Sequence, residues 1–314
     1  MAASIAYTNS IDVTDAANFI PEVWSDDVIA AYKKNLVLAG LVTVINHKGK
    51  KGDTIHIPTP TRGAASAKAA NAVVTLVTAS ATATDVLINK HYEYSFVIED
   101  IVEVQALSSM RRFYTDDAGY ALATQVDSDV RDLAATWQGG TAYSAAVIGS
   151  DGSTAYNPAA NANAGNGAAL TDAGIRRLIQ DFDDDDVPGR DRYLVIPPVE
   201  KRRLLGISRF TEQAFTGEAG AGNSIRNGYV GDLYGVSVFV SSNIATVESL
   251  NSVPYRACLF FQKQSLVLAE QMGVRTQAQY KQEALGTLVT ADRLYGVKTV
   301  RSTAGVMAII VPSA

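Results

Sequence analysis

The chain has 314 residues, of which 47% are apolar and 19% charged, with a net charge of -5. That mixture fits a folded globular protein and excludes a strong electrostatic pull toward nucleic acid or an anionic membrane. Cys258 is the single cysteine, which rules out a scaffold stapled by intrachain disulfides.

The opening "MAASIAYTNSIDVTDAANFIPEVW" has no basic segment leading into an apolar core, so no secretory signal is expected. No apolar run reaches the ~18 residues that span a bilayer. The first twenty or so residues carry too few apolar side chains to fold alone, and a neighbouring subunit is a natural anchor for them. "PEVWSDDVIAAYKKNLVLAG" predicts a short helix, with Pro21 in its first turn and Val28, Ala31, Tyr32 and Leu36 at helical spacing. "LVTVIN" predicts a strand, "HKGKKGD" a turn and "TIHIPTP" another strand.

"TRGAASAKAANAVVTLVTASATAT" is almost all small residues and buries little by itself. "DVLINKHYEYSFVIED" alternates, with Val86, Ile88, Tyr92, Tyr94, Phe96 and Ile98 on one side, and predicts one long half-buried strand. Together, residues 47–95 predict a two-stranded hairpin reaching ~65 Å at ~3.3 Å per residue. A lone hairpin is marginal in water, so it must lie on something.

"SSMRRFYTDDAGYALATQVDSDVRDLAATWQGG" is the clearest helix, capped by Ser108 or Ser109 and stopped by Gly139 and Gly140. Its expected apolar stripe is Phe113, Tyr120, Ala123, Val126, Val130, Leu133 and Trp137. Arg111, Asp116, Asp127, Asp129, Arg131 and Asp132 fall mostly off it. Residues 140–170 read as a long loop. "LTDAGIRRLIQDF" predicts a helix capped by Thr171 with Ile175, Leu178, Ile179 and Phe182 inward. A short helix around "VEKRRLLGI", a loose "GEAGAGNS" loop and a strand at Val236 to Val240 follow, and the last fifty residues alternate strands.

Asp181 and Asp183 to Asp186 raise the question of a metal. A calcium loop needs glycine at its sixth position and glutamate at its twelfth. Counted from Asp181, those positions hold Asp186 and Arg192. The expectation is therefore a solvated helix exit turning at Pro188–Gly189, with a weak cation site as the alternative. His47, His56 and His91 form no metal-ligand spacing. No G-x-S-x-G surrounds a serine, and "GEAGAGNS" lacks the GK[ST] of a phosphate loop. Cys258 reads as a small core residue. The clusters Lys48/Lys50/Lys51, Arg176/Arg177 and Lys201/Arg202/Arg203 read as solvated or subunit-contact surface. No metal, cofactor or catalytic constellation is expected.

The order of parts, with "DVLINKHYEYSFVIEDIVEVQALSSMRRFY", "GRDRYLVIPPVEKRRLL", "GYVGDLYGVSVFVSSNI" and "ALGTLVTADRLYGVKTVRSTAGVMAIIV", resembles the major capsid proteins of tailed bacteriophages, of the Hong Kong 97 type. The resemblance implies an α+β fold. Its parts would be an N-terminal arm with a short helix (1–46), an E-loop hairpin (47–95), a P-domain with a spine helix (96–138), mainly A-domain (139–265), and return strands of both domains (266–314). It implies a non-enzymatic protein that assembles as pentamers and hexamers into an icosahedral shell around double-stranded DNA. Trp24, Lys50, Lys51, Asp53 and Arg62 are the candidate inter-subunit contacts. Expected partners are other copies of the chain, DNA bound without sequence specificity, a portal, and scaffolding or cement proteins, with no membrane. The location would be the virion capsid, assembled in the host cytoplasm. The alternatives are an encapsulin-type bacterial nanocompartment shell and, from another class, a metal-dependent enzyme using Asp181 to Asp186.

Overall fold

The computed structural model describes residues 36–48, 51–60, 63–74, 76, 81–101, 110–207 and 231–313. The arm, most of the helix expected after Pro21, the Ser108/Ser109 cap and the "GEAGAGNS" loop lie outside them.

A short helix α1 (Leu38–Leu41) leads into β1 (Thr43–Asn46). Strands β2 (Thr54–Pro60) and β3 (Ala81–Leu87) pair as an isolated two-stranded ribbon. β4 (Lys90–Glu99) belongs elsewhere: it pairs with β12 (Gly286–Thr299) in a four-stranded sheet of order β1-β11-β12-β4, in which β11 is Leu266–Lys281. The run from Asp85 to Asp100, expected as one strand, is thus two strands meeting at Ile88–Asn89. Alternation continues across the corner, since Val86 and Ile88 are buried and Tyr92 to Ile98 still face one side. Only a long-range partner, β12, separates the two.

The long helix α2 (Met110–Asp132) spans 23 residues, roughly 35 Å. A 3-10 segment (Leu133–Gly139) follows, in which Gln138 turns left-handed at φ 54°. Its backbone N–H donates to Ser302 (2.5 Å) and its side chain to the Val306 carbonyl (2.8 Å). The inward face of α2 is a ladder at every fourth residue, Ala118, Leu122, Val126 and Val130, continued by Ala134 and Trp137 of the 3-10 segment. Phe113, expected inside, is 38% exposed, while Asp127 and Asp129, expected outside, are buried.

Besides a four-residue helical turn at Ala160–Asn163 and a 3-10 turn at Lys263–Ser265, the remaining described elements are β5 (Val147–Ile148), α3 (Asp172–Asp184), β6 (Arg192–Ile196), α4 (Pro198–Leu204), β7 (Asp232–Leu233), β8 (Val236–Val240), β9 (Thr246–Glu248), β10 (Pro254–Gln262), β11 (Leu266–Lys281), β12 (Gly286–Thr299) and β13 (Val306–Pro312). They build a seven-stranded sheet of order β5-β13-β10-β6-β8-β7, with β9 against β10. β10 reads as an unbroken apolar run because both its faces are covered. Ala257, Leu259 and Phe261 face α2 and Trp137, whereas Cys258 and Phe260 face α3 and α4. Phe182 of α3 stacks on Phe260 with ring centroids 4.1 Å apart. The segment 140–170 is closely packed despite its loop-like composition, with Tyr156 buried edge-on to Tyr255.

Trp137 is 3% exposed, donates from its indole N–H to Thr299 (3.2 Å) and lies 6.2 Å from the Phe261 ring. Replacing it with alanine should cost about 3–5 kcal/mol, read as a lower denaturant midpoint of the folded subunit. An unchanged midpoint would mean that this end of α2 is not part of the core.

Candidate functional site

The hairpin and its attachment are the part of the molecule that one chain does not explain. At its base the chain is fixed. The Ile88 N–H donates to the Asp53 carbonyl at 2.7 Å, and the Gln271 side chain donates to the Gly52 carbonyl at 3.0 Å. Val86 and Ile88 pack with Val267 and Ala269, flanked by Ile45, Ile55 and Ile57. Gly296 of β12 admits the corner: a Cβ there would lie 2.1 Å from the Leu87 carbonyl oxygen. Along the ribbon, His56 Nδ1 meets the Asp85 carboxylate at 2.5 Å across the two strands.

Behind the base stands α2 with two buried carboxylates. Asp127 accepts from the Leu38 and Ala39 backbone N–H groups (2.8 and 3.2 Å), and thereby caps α1. Its second oxygen accepts from the Asn243 amide (3.3 Å), which ties in the segment after β8. Burial pushes the Asp127 carboxyl above its ordinary range, opposed by the hydrogen bonds from Asn243, Ala39 and Leu38. Asp129 accepts from the Tyr295 hydroxyl of β12 at 2.6 Å and pairs with Lys90, the first residue of β4, at 3.0 Å. Burial, then Asp129, raises the Tyr295 phenol. Sequence reasoning placed both aspartates mostly off the apolar stripe and gave them no buried partner. The signal available was their i, i+2 spacing beside Val126 and Val130, which puts acids on the flanks of the apolar stripe.

Two further carboxylates lock the four-stranded sheet. Glu270 pairs with Lys48 and Arg293, each at 3.0 Å. Burial alone would raise it, but those two cations hold it below the usual carboxylate range. Asp292 receives a two-pronged pair from Arg275 (2.7 and 2.9 Å) and a bond from His91 (3.0 Å), and is held low chiefly by Arg275.

From this fixed base the hairpin carries an open tip. All the described residues from Gly63 to Leu76 are exposed, and they include Val73 (90% exposed), Val74 and Leu76 (86%). Of the candidate contact residues, Lys51 and Asp53 are exposed at the hairpin base, and Asp53 accepts from the Thr54 hydroxyl at 3.2 Å. Trp24, Lys50 and Arg62 lie outside the described residues.

The acidic stretch is the exit of α3. Thr171 caps the helix, its hydroxyl accepting from the Gly174 N–H at 3.1 Å. The carboxylates then diverge: Asp181 pairs with Arg177 at 3.0 Å, Asp183 with Arg192 at 2.7 Å, and Asp184 accepts from Gln180 at 3.3 Å. Arg192, 4% exposed, also donates to the Val187 and Pro188 carbonyls and so clasps the turn into β6. Among the described residues no three His, Cys, Asp or Glu side chains converge as a metal group. The Cys258 thiol is buried, and burial raises its pKa. No described helix is long and apolar enough to cross a membrane.

The profile of the family described as "Phage capsid protein" matches residues 92–306, and the chain belongs to that family. Solved chains share the fold. One from Mycobacterium phage Che8 is 24% identical, with a TM-score of 0.72 over 93% of this chain and 97% of that one. One from the capsid of cyanophage P-SCSP1u is 20% identical, with a TM-score of 0.69 over 95% and 94%. One from the cyanophage Pam1 capsid is 14% identical, with a TM-score of 0.70 over the whole of both chains. No curated protein matches the sequence.

With Asp181 held by Arg177 and Asp183 by Arg192, Asp184, Asp185 and Asp186 are the carboxylates of the cluster in no ion pair among the described residues, and Asp184 and Asp185 are the central two. Changing both to asparagine should leave shell assembly unaltered by calcium or chelator, as scored in micrographs. Loss of shells in the double variant, with calcium promoting wild-type assembly, would contradict this.

Proposed function

We propose that this chain is the major shell subunit of a tailed phage. It assembles as pentamers and hexamers into an icosahedral capsid around double-stranded DNA. The observation that carries the reading is the hairpin, fixed at its base and exposed at a tip of mostly small residues that ends in Val73, Val74 and Leu76. Such a tip is unfavourable in water and favourable against a neighbour. Many such contacts, each weak, add by multivalency, and head-to-tail contacts that close give rings. The role is structural rather than catalytic, and Trp24, Lys50, Lys51, Asp53 and Arg62 supply contacts between subunits. DNA meets the inner surface without sequence readout, consistent with the net charge of -5. A portal and scaffolding or cement proteins complete the particle, which forms in the host cytoplasm without a membrane. Family membership favours this over a nanocompartment that packages an enzyme, and nucleic acid inside purified particles separates the two.

Deleting residues 63–76 should leave a soluble, folded subunit with unchanged circular dichroism that no longer closes shells in negative-stain images. Normal shells from the deletion would defeat the proposal.

A further inference from the structure

The ribbon of β2 and β3 is a sheet of two strands among the described residues, which is marginal in water on its own. Its two edges differ, and the pairing shows how. The Ile88 N–H donates to the Asp53 carbonyl (2.7 Å), so Asp53 and Ile88 turn their backbone groups inward, toward each other. In an antiparallel pair such inward pairs alternate with outward ones. With the register Thr54↔Leu87 to Pro60↔Ala81, the inward residues are Ile55, Ile57 and Thr59 on β2 and Val86, Thr84 and Thr82 on β3. The outward residues are Thr54, His56, Pro58 and Pro60 on β2, and Leu87, Asp85, Ala83 and Ala81 on β3. Leu87 bears this out: its carbonyl oxygen points at β12, where a Cβ on Gly296 would meet it at 2.1 Å.

The β2 edge is thus blunted. Pro58 and Pro60 stand at outward positions, where the missing N–H removes the donor that a further strand would need. Proline on an edge strand is a common bar to unwanted pairing. The β3 edge has no such bar. Ala81, Ala83 and Asp85 present N–H and C=O groups outward, and no described strand pairs with them. The side chains of Ala83 and Asp85 are exposed, and the one charge of this edge, Asp85, is engaged by His56 of the ribbon itself.

We infer that the β3 edge of one subunit pairs antiparallel with the β3 edge of a second copy, joining two ribbons into one sheet of four strands across a two-fold axis. This rests on the shell reading above and adds to it a two-fold link between subunits. Charge sets the register. Centred on Ala83, the contact puts Asp85 opposite the partner's Ala81. Centred on Asp85, it would put two carboxylates face to face, which is unfavourable. The same patch serves both copies, so the contact closes on itself. Both outer edges of the joined sheet are then β2 strands carrying Pro58 and Pro60, so pairing stops at two ribbons. Two strands that are marginal alone become four.

The test is a single-cysteine scan in assembled shells. Facing Cα atoms of a hydrogen-bonded antiparallel pair lie ~5.5 Å apart, within disulfide reach. Cys258 is buried, so wild-type shells supply the monomeric control. Shells of Ala81→Cys, Ala83→Cys and Asp85→Cys are imaged, oxidised gently and run on a non-reducing gel. The inference expects most of the Ala83→Cys subunit as a covalent dimer, and monomer from the other two. Monomer from all three would overturn it, as would a dimer from Ala81→Cys or Asp85→Cys in place of Ala83→Cys. Ala83→Pro is the second variant, since it copies onto β3 the block that β2 already carries and leaves the inward pairs intact. It should fold, with unchanged circular dichroism, and lose closed shells; normal shells from it would overturn the inference. If the wild-type protein forms no shells at all, the shell reading fails first, and this inference with it, a result distinct from the others.

Discussion

Everything extended in this subunit leaves from a point fixed by two carboxylates of one helix. Asp127 and Asp129 are two residues apart on α2, so they point ~200° apart around its axis. One reaches α1 and the segment after β8; the other reaches β12 and the start of β4. Burying a carboxylate is costly unless its oxygens are satisfied. Both oxygens of each are engaged, by backbone N–H groups and Asn243 in one case and by Tyr295, Lys90 and Gln125 in the other. The apolar ladder of α2 supplies the driving force for packing, and the aspartates fix what packs where.

A consequence is a division of labour inside the chain. The seven-stranded sheet between α2 on one face and α3 and α4 on the other holds the two large apolar clusters. The ribbon of β2 and β3 contributes little beyond the small cluster at its base. Its order comes from Gly296, Asp53 and the corner at Ile88, which set where it leaves the body. A stiff root with an open end transmits the position of one subunit to the next, as a contact between identical copies requires.

Much of this was legible in the sequence where the signal is local. The Thr171 cap and the apolar face of α3 stand where propensity puts them, and the doubly covered Ala257–Phe261 of β10 is written as an apolar run, whereas the turn expected at Pro188–Gly189 comes earlier, at Asp185–Asp186 with Asp186 left-handed. The corner between β3 and β4 was not legible. Alternation passes through Ile88 without a break, and the strand that claims β4 lies some two hundred residues on. The aspartates of α2 were misread for a related reason. An acid in a helix is spelled the same way whether it faces water or a distant backbone N–H. Only the fold brings Leu38 to Asp127 and Lys90 to Asp129. Arg192 is the converse case: it occupies the position a calcium loop would give to glutamate, and it is buried with its guanidinium on Asp183 and on the Val187 and Pro188 carbonyls.

The most direct test of this account is hydrogen exchange read by mass spectrometry on two variants of the unassembled subunit, Asp127→Ala and Asp129→Ala. The account predicts complementary losses. Asp127→Ala should unprotect α1 and leave the β3–β4 corner intact. Asp129→Ala should unprotect the corner and the start of β4 and leave α1 intact. β10 and β13 should stay protected in both. Identical exchange patterns in the two variants, or no local loss in either, would contradict the claim that these carboxylates separately anchor α1 and the hairpin base.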